Sequence, residues 1–383
     1  MRVRPRLLYI GDIGVEHTHH SAAQLYRLLT GYPADRLRII ETRDRPSSLE
    51  RRLPGVHYTT LPIANRRWLA DATRGAHAVW FADSLPLRMN AVRRAVGDFR
   101  PDAILTITSG LGWLLADALA RDYGIPLHLI AHDDWPKLPA SARLWEPALR
   151  RRFHAVYRRA QSRLCVSPYM VSAFAHRYGT EGTVLYPIRQ DGARALPASV
   201  TRSAGMSIGY CGGSGAHVMP GLRSLARAAA ALRARVVAYG PFDTARREDL
   251  SRVAPVFEFR GFADYGDMCR GLSEADALFV PLAFDEASRE NMKVSFPSKL
   301  VEYTMVSVPT LIYAPPDTAA VQWARDHASA ATVESDSVDA LVDGLRALRN
   351  DPTRRADLVS NAQRAGDAFS FERGREIFGA ALG

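Results

Sequence analysis

Lysine, cysteine and long apolar runs are all scarce in this chain of 383 residues. Only three of its 50 lysine and arginine residues are lysine: Lys137, Lys293 and Lys299. Because arginine is the default cation, a retained lysine indicates a position where a compact, mobile charge is preferred to a planar guanidinium. The net charge of +10 favours an anionic partner, which can be a phosphorylated small molecule, an anionic membrane surface or nucleic acid.

The three cysteines, Cys165, Cys211 and Cys269, are odd in number and far apart, which argues against a disulfide framework or a zinc ribbon. We therefore expect a cytoplasmic protein. No run of about 18 apolar residues occurs, so no membrane-spanning segment is predicted, and peripheral attachment to the inner face of the membrane stays open. The apolar run at residues 7–10 is too short for a signal peptide and is predicted to be a first strand.

Apolar runs of strand length alternate with segments of helical periodicity, which predicts an α/β fold of doubly wound, Rossmann-like sheets. The chain is too long for one core of ordinary size. We predict a first domain at residues 1–187, a linker at 188–203, where periodicity is lost, and a second domain at 204–365. Residues 366–383 are predicted to contain a terminal helix.

The most informative stretch is residues 297–303, Pro-Ser-Lys-Leu-Val-Glu-Tyr. Pro297 suits the first position of a helix, and a Val-Pro pair ends the helix before the apolar strand run 310–314. Lys299 and Glu302 then share one face. Lys299 lies in the first turn, where free amides favour an anion such as phosphate, and Glu302 is placed to accept from ribose hydroxyls. The alternative is an exposed ion pair between the two.

This stretch resembles the donor-site helix "PSKLxEYxxxGxP" of retaining glycosyltransferases of the GT-B fold and the family 4 type, with Ser307 in the place of the usual glycine. Residues 261–281 are similar to the segment "GxVxxxxLxxxLxxADxxVxP" that precedes this helix in the family. The resemblance implies two Rossmann-like domains that face a cleft, with the terminal helix crossing back to the first. It implies a nucleoside-diphosphate sugar as co-substrate, with no cofactor and no metal. Glu302 would bind the ribose and Lys299 would face the diphosphate.

The loop after the first strand carries further candidates. It reads Gly-Asp-Ile-Gly-Val-Glu-His-Thr-His-His and is neither a G-x-G-x-x-G fingerprint nor a P-loop. The resemblance places this loop near the donor diphosphate or the acceptor, so Gly11, Gly14 and His17 are candidate substrate contacts. Two alternatives stay open for His17, His19 and His20, namely a metal site and solvated loop histidines.

Four polar residues follow the apolar strand 127–131. A histidine at the carboxyl end of a parallel strand projects from the edge where ligands bind. The resemblance implies that His132 approaches the donor sugar, with Asp133 and Asp134 positioning it or binding acceptor hydroxyls and Lys137 adding charge. The alternative is a turn in which the aspartates cap the next segment.

A glycine-rich turn, residues 212–215, follows the first strand of the second domain and allows backbone amides to approach a phosphate. Gly212 and Gly213 are therefore candidate contacts. The family has an arginine and a Lys-Gly pair after this turn, whereas this chain has no basic residue between Gly212 and Gly221. The departure shifts the expected phosphate contacts to Lys293 and Lys299, or casts doubt on donor binding.

A second departure concerns the family's first glutamate, whose position is held by Val294. Glu286, Glu290 and Asn291 are nearby substitutes for the recognition of sugar hydroxyls. The remaining candidate contacts are Phe262 and Ser298.

The stretch 143–163 is rich in arginine and has an apolar stripe at helical spacing. It is predicted either to lie on an anionic membrane, where it would meet a lipid-linked acceptor, or to be an ordinary surface helix with a core-facing stripe. Nucleic acid is a weaker alternative because no recognised binding motif accompanies the charge.

We therefore predict a hexosyltransferase-type glycosyltransferase, of the kind used in polysaccharide biosynthesis. It moves a sugar, with retention, from a UDP or GDP sugar to a hydroxyl of a glycan, lipid-linked or small-molecule acceptor. The catalytic candidates are His132, Lys299 and Glu302. Two alternatives are a GT-B-like sugar-nucleotide epimerase or hydrolase and a non-catalytic binding or scaffold protein.

Overall fold

The computed structural model describes residues 4–18, 20–62, 71–135, 144–193, 195–196, 205–215 and 217–383. The chain forms two compact units. Unit 1 comprises Met1–Ile188 and Phe371–Gly383, and unit 2 comprises Arg189–Ser370. Each unit contains one parallel sheet with helices in its connections, which confirms the predicted fold class of two Rossmann-like α/β domains.

The sheet of unit 1 has the order β3-β2-β1-β4-β5-β6-β7, and all of its neighbouring strands are parallel. The order reverses between β1 and β4, which is where ligands bind in doubly wound sheets. The strands are β1 Leu7–Gly11, β2 Leu37–Glu41, β3 His57–Thr60, β4 Ala103–Ile107, β5 Leu127–Ala131, β6 Ser162–Cys165 and β7 Thr183–Val184.

Strands β1, β4 and β5 are buried along their whole length, as their continuous apolar runs require. The first six helices connect and cover these strands. They are α1 His20–Leu29, α2 Asp71–Asp83, α3 Leu85–Val96, α4 Gly112–Tyr123, α5 Glu146–Arg159 and α6 Pro168–Tyr178.

The sheet of unit 2 has the order β10-β9-β8-β11-β12-β13 and is also parallel. Its strands are β8 Ser207–Cys211, β9 Arg235–Tyr239, β10 Phe257–Gly261, β11 Ala277–Pro281, β12 Thr310–Tyr313 and β13 Ala331–Val333. Its helices are α7 Met219–Ala231, α8 Thr244–Val253, α9 Tyr265–Ser273, α10 Glu286–Met292, α11 Ser298–Tyr303, α12 Ala319–His327, α13 Val338–Asn350 and α14 Pro352–Ala365.

The last helix, α15 Phe371–Leu382, belongs to unit 1. Phe371 and Phe378 are part of the same buried cluster as Ile188, at the end of the first segment of unit 1. A Cβ atom on Gly374 would lie 2.1 Å from Cγ2 of Ile188, so the glycine allows the helix to approach this residue closely.

Helix α11 is shorter than the sequence predicts. Pro297 precedes the helix instead of occupying its first position, and the helix ends at Tyr303 although the apolar stripe continues to Val306. The amides of Met305 and Val306 donate to carbonyls three residues earlier, at Glu302 and Tyr303, so the chain tightens into turns after the helix.

Helix α5 uses its apolar stripe inside unit 1. Leu149, Phe153, Val156 and Tyr157 are buried, and the Phe153 ring lies 5.6 Å from the Trp113 ring and 5.5 Å from the Tyr178 ring. This stripe is therefore unavailable to a membrane, which supports the surface-helix alternative. On the polar side, ion pairs join three arginines to aspartates: Arg150 to Asp134, Arg152 to Asp83 and Arg159 to Asp117.

Within the described ranges, none of the helices combines the length and apolarity needed to cross a membrane.

Candidate functional site

The glycine turn after β8 and helix α11 lie side by side in unit 2. A Cβ atom on Gly212 would lie 3.1 Å from Cε and 3.5 Å from Nζ of Lys299. Gly212 also has a φ of 141°, a backbone conformation that residues with side chains rarely adopt. The structure thus brings together two of the predicted phosphate-binding elements, and it requires glycine at their point of contact.

Lys299 is held at this position with its charge poorly solvated. Its Nζ atom lies 5.2 Å from the centroid of the Tyr210 ring, and the Tyr210 hydroxyl donates to the Gly213 carbonyl at 2.6 Å. Burial lowers the pKa of the Lys299 ammonium. Among the residues that the structure describes, no carboxylate forms an ion pair with it. A partly buried ammonium that no described carboxylate neutralises is suited to an anionic ligand.

The glycine turn itself offers backbone donors. The Gly212 amide donates to the Tyr239 carbonyl at 3.0 Å and so extends the pairing of β8 with β9. In the described part of the chain, the amides of Gly213 and Gly215 have no backbone acceptor. Such amides in a glycine turn, next to an ammonium, form a site that favours phosphate oxygens.

Tyr303 fixes the orientation of helix α11. Its hydroxyl accepts from the Cys211 amide at 2.8 Å and donates to the Phe279 carbonyl at 3.2 Å, so it joins the helix to β8 and β11. Glu302, the residue before it, is half-buried. The sequence analysis assigned no role to Tyr303, although the Glu-Tyr pair of the motif was the available signal.

Arg246 supplies a positive charge that the sequence analysis missed. Its Nε donates to the Ser214 carbonyl at 2.5 Å, and its guanidinium also pairs with Asp243. The Ser214 hydroxyl donates to the Pro241 carbonyl at 2.7 Å, which fastens the turn to the segment after β9. Arg246 belongs to α8 and is distant in sequence from the turn at residues 212–215, so no local pattern indicates that the two are in contact.

Arg189, from the predicted linker, also packs against the end of α11. Its Nη2 donates to the Thr304 hydroxyl at 2.7 Å, and its own amide donates to the Phe369 carbonyl at 2.8 Å. Burial lowers the pKa of Arg189, while Tyr265, Asp367 and Glu302 oppose that shift. The guanidinium is therefore part of the electrostatic surroundings of Glu302.

Lys293 is occupied by carboxylates, unlike Lys299. Its Nζ lies 2.5 Å from Glu290 and 3.6 Å from Asp317, so the structure does not offer it as a phosphate contact. Glu290 is correspondingly engaged with Lys293. Asn291 donates to the Ser295 hydroxyl at 3.4 Å.

The remaining candidate contacts are Phe262 and Ser298, and Val294 holds the place of the family's first glutamate. Phe262 has 71% of its surface exposed, and Ser298 begins α11. Val294 is buried, so a glutamate in its place would require a charge in an apolar environment.

In unit 1, Gly11 at the end of β1 and Gly14 in the following loop are closely approached by side chains. A Cβ atom on Gly11 would lie 2.5 Å from the Tyr9 hydroxyl oxygen, and one on Gly14 would lie 2.1 Å from Nη2 of Arg43. His17 donates through its amide to the Arg51 carbonyl at 2.8 Å, and its ring lies 5.4 Å from the Tyr26 ring. His19 and the side chain of His20 lie outside the described residues.

The side chain of Asp12, which follows β1, lies at the N-terminus of α4. Its carboxylate accepts from the Leu111 amide at 2.5 Å, the Gly112 amide at 2.9 Å and the Thr42 hydroxyl at 2.6 Å. Burial raises the pKa of Asp12 to about 6, although these hydrogen bonds oppose the shift. The amides at the start of α4 therefore already have an anionic partner from within the protein.

This raised pKa predicts a pH-dependent stability. The folded state binds the Asp12 proton more tightly than the unfolded state, so stability should fall as the pH rises from 3.8 to about 6 and then level off. At pH values above that range, the charge on Asp12 lowers the free energy of unfolding by about 3 kcal/mol. Asp12→Asn keeps an acceptor for both amides and a partner for Thr42, so its stability should vary less over this interval.

Urea unfolding of wild type and Asp12→Asn across this pH range gives the difference between their free energies of unfolding. The contributions of the other titrating groups cancel in this difference. Asp12→Ala is the matched comparison because it removes all three hydrogen bonds, at an expected cost on the order of 3 kcal/mol. Parallel stability curves for wild type and Asp12→Asn would show that the Asp12 pKa is not raised.

At the end of β5, three polar residues have different surroundings. His132 lies 3.0 Å through Nδ1 from the Ser21 hydroxyl, and burial lowers its pKa to about 4 while Asp133 opposes the shift. Asp133 is exposed. Asp134 is buried and pairs with Arg177 at 2.5 Å and Arg150 at 3.5 Å, so it joins β5 to α6 and α5 instead of facing an acceptor. Lys137 lies outside the described residues.

No group of three or more His, Cys, Asp or Glu side chains in the described ranges is arranged to hold a metal ion.

Comparison with known proteins finds a family-model match within unit 1. Residues 24–188 match the family model Glycosyltransferase Family 4. The match lies within unit 1 and includes His132. No curated protein sequence matches the chain significantly.

Solved glycosyltransferase structures match both units. HepE from Anabaena, in complex with UDP and glucose, has a TM-score of 0.69 at 13% identity, with 99% of each chain covered. Sucrose-phosphate synthase from Thermosynechococcus elongatus has a TM-score of 0.69 at 14% identity, with 98% of this chain and 97% of that chain covered. The lipopolysaccharide outer core galactosyltransferase WaaB, in its apo form, has a TM-score of 0.59 at 13% identity, with 98% of both chains covered. These structures share the GT-B fold class with this chain.

Proposed function

We propose that this protein is a glycosyltransferase that moves a hexose-like sugar from a nucleoside-diphosphate sugar to a hydroxyl acceptor, with retention at the anomeric carbon. The observation that carries the proposal is the partly buried Lys299 ammonium beside the Gly212 turn, where the amides of Gly213 and Gly215 have no backbone acceptor among the described residues. An ammonium and backbone amides that converge at the end of a parallel strand bind phosphate well. The match to Glycosyltransferase Family 4 supports the same assignment.

In this proposal unit 2 binds the nucleotide. As the bond between the sugar and the diphosphate breaks, negative charge develops on the leaving diphosphate, and the fixed charge of Lys299 stabilises it. Arg246 adds positive charge at the other side of the turn. Glu302 accepts hydrogen bonds from the ribose hydroxyls, which orients the nucleotide along α11.

The proposed roles in unit 1 centre on His132. Because its pKa is lowered to about 4, the imidazole is neutral near physiological pH and can act as a hydrogen-bond partner of the transferred sugar. We assign no covalent carboxylate nucleophile, and the Asp134 carboxylate is engaged in ion pairs with two arginines.

The donor is proposed to be of the UDP or GDP type, and UDP is the first to test. HepE has been crystallised with UDP-glucose, and it matches 98% of this chain. The acceptor is proposed to be a glycan, a lipid-linked sugar or a small molecule, in a cytoplasmic reaction of polysaccharide biosynthesis. A lipid-linked acceptor would bring an anionic membrane surface to the polar side of α5.

The test is a thermal-shift panel with UDP, GDP, ADP, CMP and dTDP. A ligand at about 100 times its dissociation constant stabilises the folded state by about 2.7 kcal/mol, which raises Tm by several degrees for domains of this size. We expect one diphosphate to give a selective shift. The absence of a shift with every nucleotide would favour the non-catalytic scaffold instead.

Product analysis with the matching nucleotide sugar then separates transfer from related reactions. We expect a glycosylated product only when a hydroxyl acceptor is added. Release of free sugar or formation of an epimeric nucleotide sugar, at full rate without an acceptor, would identify the hydrolase or epimerase alternative.

A further inference from the structure

Ser21, which has no role in the proposed reaction, forms a side-chain pair with His132. Ser21 is the second residue of α1, which follows the loop after β1, and His132 follows β5 directly. In the sheet order β1-β4-β5, the pair therefore spans the intervening strand β4. The Ser21 hydroxyl oxygen lies 3.0 Å from Nδ1 of His132.

The second ring nitrogen of His132 differs from the first. Its Nε2 atom is buried, and among the described residues it has no hydrogen-bond partner. A buried polar atom without a partner is costly, and such atoms at a ligand-binding edge are commonly satisfied by the ligand. Nε2 is therefore the ring nitrogen that is left for a ligand, while Nδ1 contacts Ser21.

The direction of the Ser21 hydrogen bond decides what Nε2 can do. A neutral imidazole carries hydrogen on one nitrogen and accepts at the other. Serine hydroxyls within helices often donate to the carbonyl four residues earlier, but Ser21 is too close to the start of α1 to have such a helical carbonyl. The hydroxyl is consequently available to donate to Nδ1, and with that direction of the bond the hydrogen of the neutral ring lies on Nε2.

We propose that Ser21 is a positioning residue that donates to Nδ1 of His132 and so holds the ring in the tautomer with hydrogen on Nε2. The inference rests on the proposed function, because Nε2–H then donates to an oxygen of the sugar that is transferred. The Nε2–H group distinguishes sugars by whether they place a hydroxyl within its reach. Loss of the ring orientation should therefore weaken recognition of the transferred sugar more than binding of the nucleotide.

A serine nucleophile is not supported by the same geometry. In a Ser-His-Asp triad the serine contacts one ring nitrogen and an acidic side chain orients the ring through the other. Here the serine contacts Nδ1, and no described carboxylate accepts from Nε2. Ser21 therefore orients the histidine, which is the part that the acid takes in a triad.

The decisive measurement is the ¹⁵N–¹H spectrum of the imidazole rings in the full-length, nucleotide-free protein at neutral pH. The His132 signals are assigned by their loss in His132→Gln. We expect a single neutral tautomer with hydrogen on Nε2 in wild type, a mixture in Ser21→Ala, and the wild-type pattern in Ser21→Thr, which keeps the hydroxyl. Hydrogen on Nδ1 in the wild type, or unchanged signals in Ser21→Ala, would overturn the proposal.

Kinetics then test the functional part. We expect Ser21→Ala to lower kcat/KM for the nucleotide sugar about three- to tenfold, with the affinity for the free nucleotide unchanged and with activity restored in Ser21→Thr. An equal loss in both variants would overturn the positioning role. If no nucleotide sugar is used at all, the proposed function fails, and the tautomer measurement still decides the role of Ser21.

Discussion

Replacement of Lys299 by alanine is expected to lower kcat by about 100- to 1,000-fold, the effect seen when one preorganised charge or donor is removed from a developing anion. The reason is geometric, because Nζ lies next to Gly212 and above the Tyr210 ring, with no carboxylate paired to it in the described structure. The KM of the acceptor should change little. Steady-state kinetics with the nucleotide sugar measure both effects, and an unchanged kcat would refute a role in leaving-group stabilisation.

Lys293→Ala is the matched control, since it removes the other lysine of the same region. Lys293 pairs with Glu290 and Asp317, so its loss should change kcat less than about threefold.

A third variant, Lys299→Arg, adds a pH test. Because burial lowers the pKa of Lys299, wild-type activity should fall on the alkaline side below the ordinary lysine pKa, whereas an arginine stays charged there. Identical alkaline profiles would show that Lys299 does not titrate in the active state.

The sequence predicts best where one strong local signal decides the structure. Strand β5 has the predicted bounds, residues 127–131, because it is a fully buried and mostly apolar run followed by turn residues. Helix α4 is also indicated by its sequence, since its alanine- and leucine-rich stretch is followed by Gly124 in a left-handed conformation.

Elements with weak patterns were missed for the corresponding reason. Strand β3 reads His-Tyr-Thr-Thr and lies at the edge of its sheet, so it has no apolar run. Helix α8 buries only Leu250 and shows little amphipathic spacing. Without a buried stripe, helical propensity alone gives little indication of a helix.

In the candidate site too, residues within a local motif were predictable and residues that come together only in the folded chain were not. The contact between Gly212 and Lys299 was predictable because two local motifs each indicated phosphate. Arg246 and Ser21 were not predictable, since each reaches its partner through space from a helix that carries no motif. Sequence also treats Asp133 and Asp134 alike, although one is exposed and the other is buried between arginines.

Replacement of Glu302 by alanine is expected to weaken UDP binding about 10- to 100-fold, because hydrogen bonds to a charged group contribute about 1.5–3 kcal/mol. Glu302 lies one turn beyond Lys299 on α11, and Tyr303 fixes that helix to β8 and β11. Isothermal titration with UDP measures the change, with GDP used if the thermal-shift panel selects it. Glu290→Ala is the control, since Glu290 pairs with Lys293 and should leave nucleotide affinity unchanged.

A ligand that lacks the proposed hydroxyl distinguishes a direct ribose contact from a general loss of charge. Wild type should bind 2′-deoxy-UDP or 3′-deoxy-UDP more weakly than UDP, whereas Glu302→Ala should bind them equally, because the partner of the missing hydroxyl is already gone. If the variant still discriminates between UDP and both deoxy forms as wild type does, Glu302 does not bind the ribose. Any effect of Glu302 on nucleotide binding would then be indirect, for example through Arg189, whose pKa it raises.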